Sequence, residues 1–300
     1  MIDFHSHFFS RPFFDALASL SPLEGSVEEK LSTVVEKTGL ELPDNDIEVH
    51  WKRWETMLDE SGVDHLVSFA SLPVEAEALL EARELAGGRM SAFCLIDPTA
   101  EGAAARAEAL LGEMGFKGLL LFPAMHCFDP GEAKAAEVFE VADQHSACVV
   151  VHCGMLQVKL RDVLGLPRPY DFRFADPLRL IPAANRHRNV SFVIPHFGAG
   201  LFRETLMVGS QCENVFVDSS SSNSWMDTQP GSPDLTEVFR KALGVFSAER
   251  VLFGTDSSTL PRGWRKDLLA AQLVALEGAG VSAPDQKAIL DGNARRLLRI

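Results

Sequence analysis

Two histidines stand one residue apart at the start of the chain, in the stretch Ile2-Asp3-Phe4-His5-Ser6-His7-Phe8. Alternate side chains of a strand point to the same face, so His5 and His7 would project together, with Asp3 below them. Neighbouring imidazoles suit a divalent transition metal, most often zinc. Such a pair also occurs by chance on surfaces and in turns. It therefore predicts a metal site only if the rest of the chain supplies further ligands.

Three further polar residues stand at the ends of apolar segments. His152 ends the segment 147–152, His196 follows the apolar residues 190–194, and Asp256 ends the segment 250–256. Each has an ordinary structural interpretation: a core histidine, a turn residue and a helix cap, respectively. Their shared position at segment ends favours a common site, provided that the fold brings those ends together.

The apolar segments alternate with helical patterns along the whole chain. Continuous apolar runs are typical of parallel strands that are covered by helices. Eight such units in 300 residues predict a single-domain (β/α)8 TIM barrel, residues 1–300. An open doubly wound sheet is the alternative, and it is disfavoured because no Gly-x-Gly-x-x-Gly turn follows the first strand. The predicted strands are 2–8, 63–70, 90–96, 117–122, 147–152, 190–196, 215–218 and 250–256.

An insertion follows the first strand at about residues 10–48. We expect it to be irregular, because Pro12, Pro22 and Pro43 interrupt its short helical stretches. It could fold over the end of the first strand. A helix is predicted for residues 49–61, with Gly62 as its end.

The composition limits the partners of this protein. A net charge of −14 and a pI near 5.1 argue against nucleic acid or an anionic membrane as partner. Five cysteines without a Cys-x-x-Cys spacing indicate a reducing compartment, and no apolar run reaches membrane-spanning length. We expect a cytoplasmic protein that acts on a small molecule.

Closure of a barrel would gather the segment ends at one mouth. Active sites of (β/α)8 barrels lie at the carboxyl ends of the strands, where His152 and His196 also stand. Strand eight closes beside strand one, so Asp256 would face His5 and His7. Several polar residues at one mouth are hard to explain without a shared purpose. The combined pattern predicts a metal-dependent active site.

These residues belong to motifs that run in order through the chain. With them the chain resembles the amidohydrolase superfamily, specifically its amidohydrolase-related branch. That branch includes metal-dependent hydrolases and decarboxylases of the aminocarboxymuconate-semialdehyde type. The motifs are Asp3-x-His5-x-His7, Gly115-Phe116-Lys117-Gly118, Val151-His152-Cys153-Gly154, Pro195-His196-Phe197-Gly198, Leu252-Phe253-Gly254-Thr255-Asp256, and Gly292-Asn293-Ala294 with Leu297.

The resemblance implies a role for each site residue. His5, His7, His152 and Asp256 would hold the metal, and Asp256 would also take the proton of a metal-activated water. His196 would act as an acid/base or oxyanion-stabilising group. The implied cofactor is one divalent metal, with Zn²⁺ favoured and Mn²⁺ or Fe²⁺ compatible. Relatives of this branch are often dimers, so the resemblance is compatible with a homodimer, and the oligomeric state stays open.

One departure from the family pattern limits the number of metals. Binuclear members carry a carboxylated lysine or a glutamate at the end of strand four, whereas residues 118–122 are Gly-Leu-Leu-Leu-Phe. None of these side chains can bridge two metals. Lys117 enters the strand from the opposite end. A single metal is therefore expected.

Four residues are candidates for contact with a substrate carboxylate. They are Arg11 and Arg53 near the insertion, His126 after strand four, and Arg161 after strand five. Any one of them could equally be a solvated surface or loop residue. The leading hypothesis is a hydrolase that acts on a small ester, lactone or amide carbonyl. The alternative is a non-oxidative decarboxylase of a small, possibly aromatic, carboxylate.

Overall fold

A computed structural model of the protein describes residues 1–221 and 223–300. Eight parallel strands pair in chain order, as the alternating pattern predicts. The Phe4 amide donates to the Phe253 carbonyl, and the Asp256 amide donates to the His5 carbonyl, which joins the eighth strand to the first. The predicted (β/α)8 TIM barrel is confirmed. The strands are β1 Ile2–Ser6, β2 His65–Ala70, β3 Met90–Leu95, β4 Gly118–Leu121, β5 Cys148–Val151, β6 Ser191–Ile194, β7 Val215–Asp218 and β8 Val251–Leu252.

Helices cover the outside of the barrel. Within residues 1–221 and 223–300, no helix is both long and apolar enough to cross a bilayer. The helices are α1 Arg11–Leu20, α2 Val27–Thr38, α3 Ile47–Ser61, α4 Ala76–Leu85, α5 Ala103–Glu108, α6 Pro123–His126, α7 Ala133–Gln144, α8 Lys159–Val163, α9 Ile181–Arg186, α10 Phe202–Gln211, α11 Leu235–Phe246, α12 Lys266–Gly278, α13 Ala283–Lys287 and α14 Asn293–Leu298.

The strands are buried on both faces. One apolar cluster fills the inside of the barrel and includes Phe4, Phe69 and Phe93. A larger cluster lies between the sheet and the surrounding helices, where Trp54 and Phe139 are fully buried. Burial on both faces explains why the strand sequences are continuous apolar runs rather than alternating ones.

The eighth strand is much shorter than the sequence predicts. Regular pairing covers only Val251–Leu252, whereas the apolar pattern extends over residues 250–256. Asp256 has a φ of +57°, which takes the backbone out of the extended conformation. Gly254 lies so close to β1 that an added Cβ would stand 2.8 Å from the His5 Cβ. The end of β8 is thus shaped by contact with His5 rather than by the sheet.

The insertion is more regular than predicted. Pro12 lies in the first turn of α1, where its missing amide hydrogen costs little, and Ser26 and Glu29 form a capping box that begins α2. Prolines at helix starts therefore mark boundaries here and do not break the helices. An apolar cluster joins α1 and α2 to Leu164 and Leu166 of the segment after β5. The Glu41 amide donates to the Leu260 carbonyl, so the insertion also contacts the loop after β8.

Candidate metal centre and active site

The structure brings His5 of the first strand and His7, which follows the end of that strand at Ser6, together with Asp256 at one end of the barrel. The Asp256 Oδ1 lies 3.3 Å from the His7 Nε2 and 3.9 Å from the His5 Nε2. One potential ligand atom from each residue lies within 4.8 Å of the other two. His5 is 2% exposed, whereas Asp256 is 36% exposed. The three side chains therefore form a cluster in which the carboxylate is accessible to solvent and His5 is not.

His196 and His152 extend this group along the mouth. The ring of His196 lies 4.8 Å from that of His5, and the ring of His152 lies 5.2 Å from that of His196, measured between centroids. Both side chains are buried. The Nδ1 of His152 has no hydrogen-bond partner among the described residues. A buried imidazole nitrogen without a partner requires an explanation, such as a ligand that is bound there.

Asp218, at the end of β7, is a site residue that the sequence analysis did not select. Its carboxylate is fully buried, and the His5 Nδ1 donates to it at 2.8 Å. The other carboxylate oxygen accepts from the backbone amides of His196 and Ser220, each at 3.0 Å, and from the Ser220 hydroxyl. The signal that could have found it is the rule that selected His152, an ionisable residue at the carboxyl end of a strand.

This network determines which ring nitrogens are free. A carboxylate accepts only, so the His5 Nδ1 carries a proton, and in the neutral ring its Nε2 keeps a lone pair. The Ser220 hydroxyl gives its proton to Asp218 and therefore accepts from the His196 Nδ1 at 2.7 Å. Neutral His196 thus also presents a bare Nε2. These are the tautomers that metal binding or general-base action requires.

The charges of the cluster are strongly coupled. Burial alone would raise the pKa of Asp218, but His5, His196 and the hydrogen bonds lower it to about 2. Burial would likewise raise the pKa of Asp256, and the polar contact with His7 together with the charges of the neighbouring histidines lowers it. Both carboxyl groups are ionised at neutral pH.

The pKa values of the four histidines are shifted in different directions. Burial lowers the pKa of His152 to about 3, with His196 and His5 adding to the shift, and it also lowers the pKa of His7 and His196. Burial lowers the pKa of His5 too, but Asp218 outweighs it and the net shift is upward. The lowered pKa values favour neutral His7, His152 and His196 beside the ionised carboxylates, and this donor set suits a cation.

Two site residues have strained backbones. His196 has a φ of +56°, and the φ of Asp256 is +57°, although neither is a glycine. Such conformations cost on the order of 1–3 kcal/mol each and cluster at functional sites. The network around Asp218 holds one of them, since the backbone amide of His196 donates to that carboxylate.

The end of β4 offers no metal ligand. Phe122 follows this strand, and its ring lies 5.2 Å from that of His152. An aromatic ring therefore stands at the end of this strand, and the residues there offer no carboxylate or lysine that could bridge two metals. The donor set of His5, His7 and Asp256, with the unpartnered nitrogen of His152 nearby, fits one divalent ion.

None of the four candidate substrate residues is among those whose ligand atoms cluster at the mouth, and the three arginines have local partners. The Arg11 guanidinium pairs with Asp15 at 2.8 Å, and that of Arg53 pairs with Glu41 at 2.5 Å. Both arginines line one cleft beside the insertion. The Arg161 side chain donates to the Pro167 carbonyl at 2.9 Å. The Nδ1 of His126 is buried 4.0 Å from the Asp97 Oδ1.

The eight-stranded barrel, with a cluster of histidines and carboxylates at its mouth, is the arrangement of a (β/α)8-barrel enzyme. The amidohydrolase family model matches residues 2–300, and the chain belongs to this family. No curated protein sequence matches the chain.

Solved structures with the same fold include decarboxylases and a hydrolase. The 5-carboxyvanillate decarboxylase of Sphingomonas paucimobilis is 14% identical with a TM-score of 0.67, and the match covers 100% of this chain and 99% of the other. A dihydroxybenzoic acid decarboxylase from a Polaromonas species, with bound manganese and the inhibitor 2-nitroresorcinol, is 18% identical with a TM-score of 0.63, covering 99% and 96%. A putative 2-pyrone-4,6-dicarboxylic acid hydrolase from Pseudomonas putida is 20% identical with a TM-score of 0.61, covering 99% and 97%. At these sequence identities, the similarity to the solved structures shows the fold alone.

Proposed function

We propose that this protein is a metal-dependent hydrolase that uses metal-activated water on a small ester, lactone or amide carbonyl. The observation that carries the proposal is the contact of the solvent-accessible Asp256 carboxylate with the Nε2 atoms of His5 and His7. His5, His7, His152 and Asp256 would hold one divalent ion, with zinc favoured by this donor set and manganese or iron compatible. When bound, such an ion lowers the pKa of a coordinated water toward neutrality and polarises a substrate carbonyl.

The protonation states define what the protein residues do. Ionised Asp256 is an acceptor for the proton that the attacking water loses. Neutral His196 presents an acceptor at Nε2, because its Nδ1 proton is engaged by Ser220. His196 can therefore take a proton first, and only then donate one to a leaving group or stabilise a developing oxyanion. The site begins the reaction with two proton acceptors, which suits the removal of a proton from water.

The alternative function is the non-oxidative decarboxylation of a small, possibly aromatic, carboxylate. Several of the solved structures with this fold are decarboxylases of aromatic acids. Aromatic side chains stand beside the site: Phe9 stacks on His7 with 5.1 Å between ring centroids, and Phe122 lies against His152. Such rings could hold an aromatic substrate. This reaction requires a proton donor to carbon, which His196 becomes only after protonation.

Product analysis separates the two functions. The purified protein, reconstituted with Zn²⁺ or Mn²⁺, is incubated with 2-pyrone-4,6-dicarboxylate and, separately, with 5-carboxyvanillate or 2,6-dihydroxybenzoate. Incorporation of ¹⁸O from labelled water into the opened lactone supports hydrolysis. Release of CO₂ from the aromatic acids, without hydrolysis of the lactone or of a panel of simple esters and amides, would contradict the leading proposal and favour the lyase. An Asp256→Asn variant should be inactive in either assay.

A further inference from the structure

His7 has a hydrogen-bond partner on the side of the ring away from Asp256. The Ser71 hydroxyl lies 2.8 Å from the His7 Nδ1, while the His7 Nε2 faces Asp256. Ser71 directly follows β2, so it reaches the ring from the neighbouring strand. The two nitrogens of His7 therefore have separate partners, one at the proposed metal centre and one behind it.

Glu75 holds Ser71 in this position. One of its carboxylate oxygens accepts from the backbone amides of Ser71 at 2.8 Å and Leu72 at 3.0 Å. The other accepts from the amide of Ser10, at 3.3 Å, in the segment after β1. Glu75 is 1% exposed. A buried carboxyl group that accepts from three backbone amides thus ties the loop after β2 to the start of the insertion.

The Ser71 hydroxyl can accept or donate, so this contact is compatible with either tautomer of His7. If the Ser71 oxygen accepts, the His7 Nδ1 carries the proton and Nε2 keeps a lone pair. If the hydroxyl donates, Nε2 carries the proton and cannot bind a metal. His5 has no such freedom, because its Nδ1 faces the Asp218 carboxylate. The position of the ring proton is therefore fixed in His5 by a carboxylate, whereas in His7 the partner is a hydroxyl that allows either position.

We propose that Ser71, held by Glu75, is a positioning residue that fixes the ring orientation of His7 and accepts from its Nδ1–H when Nε2 binds a metal. The inference rests on the proposed function, since it requires a metal at His7. Groups behind a ligating histidine typically change metal affinity by about 10–100-fold when they are removed. The Ser71–Glu75 pair is thus expected to act on the metal rather than on the substrate.

Metal titration of the full chain tests the proposal without a substrate. Zn²⁺ affinity is measured calorimetrically and the Co²⁺ absorption spectrum is recorded for wild type, Ser71→Ala and Ser71→Thr. Ser71→Ala should bind Zn²⁺ about 10–100-fold more weakly and shift the Co²⁺ bands. Ser71→Thr keeps the hydroxyl and should restore the affinity to near that of wild type.

Ser91→Ala is the matched control. Ser91 is buried in β3, and its hydroxyl lies 2.9 Å from the Nε2 of His65, so it makes the same serine–histidine contact away from the mouth. This variant should lose stability but bind Zn²⁺ like wild type. A purely structural role for Ser71 predicts the same behaviour for Ser71→Ala. Unchanged Zn²⁺ affinity and an unchanged Co²⁺ spectrum in Ser71→Ala would overturn the inference.

Glu75→Gln tests the second link. A glutamine offers one acceptor oxygen, so its NH₂ group must face either the Ser10 amide or the amides of Ser71 and Leu72. We expect a weakening of Zn²⁺ binding in the same direction as for Ser71→Ala. If Glu75→Gln does not fold, the Ser71 series still decides the proposal. If wild type binds no metal, both the proposed function and this inference are wrong. If wild type binds metal and Ser71→Ala binds it equally well, only this inference is wrong.

Discussion

Asp218 links the two halves of the candidate site at the level of single residues. One oxygen orients His5, and the other holds the backbone of His196 and the Ser220 hydroxyl. The same carboxylate thus supports a proposed metal ligand and the proposed acid/base group. The free nitrogen of each ring follows from this single buried acceptor.

Replacement of Asp218 by asparagine should weaken the metal site. The amide keeps the size of the side chain but must direct its NH₂ group either at the His5 Nδ1–H or at the amide donors of the other side. We expect Zn²⁺ affinity to fall about 10–100-fold, as measured by titration of the metal-depleted protein. Asp176→Asn, at a helix start where Asp176 accepts from the Leu178 amide, serves as the control and should leave Zn²⁺ affinity unchanged. Equal affinities of Asp218→Asn and wild type would refute this role.

The sequence predicted the histidines and Asp256 more readily than Asp218. The histidines are few, and the His5-Ser6-His7 spacing marks them as a pair before any fold is known. Asp218 sits at the end of an apolar strand like the others, but an aspartate there is equally consistent with a helix cap. Its role depends on a contact with His5, 213 positions away in the chain, which only the closed barrel creates.

At the scale of elements, the junction of β8 with β1 shapes the mouth. A Cβ added to Gly254 would stand 2.8 Å from the Cβ of His5 and 3.0 Å from that of Ser220. Asp3 supports the same junction from below, because its buried carboxylate accepts from the backbone amides of His5 and Thr255 and from the Trp264 indole at 2.8 Å. Asp3 thus joins the strands and does not contact the rings of the histidines.

Gly254→Ala should therefore damage stability and the site together. The added methyl group has no room beside His5, so we expect a loss of about 1–3 kcal/mol in the free energy of unfolding. Denaturant unfolding measures this loss, and Zn²⁺ titration should show weaker binding. Gly244→Ala is the control: Gly244 lies in α11 with nothing within 4 Å of an added Cβ, and the change should stabilise the protein by about 0.5–1 kcal/mol. Equal stability of the two variants would contradict the proposed contact.

The strand order was predictable from the sequence because each barrel strand is buried on both faces. The exact ends of the strands and helices were not predictable from the sequence. Regular β8 covers two residues because Gly254 and Asp256 adapt to β1, and this contact leaves no local trace in the apolar pattern. In the insertion, the helix around Pro12 was missed because a proline at a helix start resembles a helix breaker in the sequence alone.

At the scale of the whole molecule, buried neutral histidines outside the mouth couple stability to pH. Burial lowers the pKa of His65 from 6.5 to about 4, although its Nδ1 contacts the Gly88 carbonyl and its Nε2 contacts the Ser91 hydroxyl. Burial also lowers the pKa of His50 from 6.5 to about 4. In the unfolded chain, both groups take up protons at higher pH than in the folded one.

The sign of the pH dependence follows from this difference. Between about pH 4 and 6.5 the unfolded chain binds more protons at His65, so stability rises with pH across this window and is lost as the pH falls. Across this pH window, the titration of His65 changes the free energy of unfolding by on the order of 2–3 kcal/mol. His65→Gln, which does not titrate, should become relatively more stable than wild type as the pH falls from 6.5 to 4. Urea unfolding at several pH values measures the difference, and a pH-independent difference would contradict this role of His65.

The barrel as a whole brings together residues from both ends of the chain. His5 and Asp256 meet because β8 closes on β1, while His152 and His196 join them from the middle of the sequence. The amidohydrolase family match spans nearly the whole chain, in agreement with a single site assembled by the complete barrel. The homodimer with which the family resemblance is compatible remains a prediction, which analytical ultracentrifugation can check.

The metal content of the purified protein tests the central claim most directly. Elemental analysis of wild type should find one divalent metal ion per chain after reconstitution and removal of excess metal. His152→Ala, which removes the buried ring with the unpartnered nitrogen, should retain much less metal while its circular dichroism spectrum stays that of the folded barrel. If wild type and His152→Ala hold equally little metal, or if wild type holds two ions per chain, the single-metal centre proposed for this mouth is wrong.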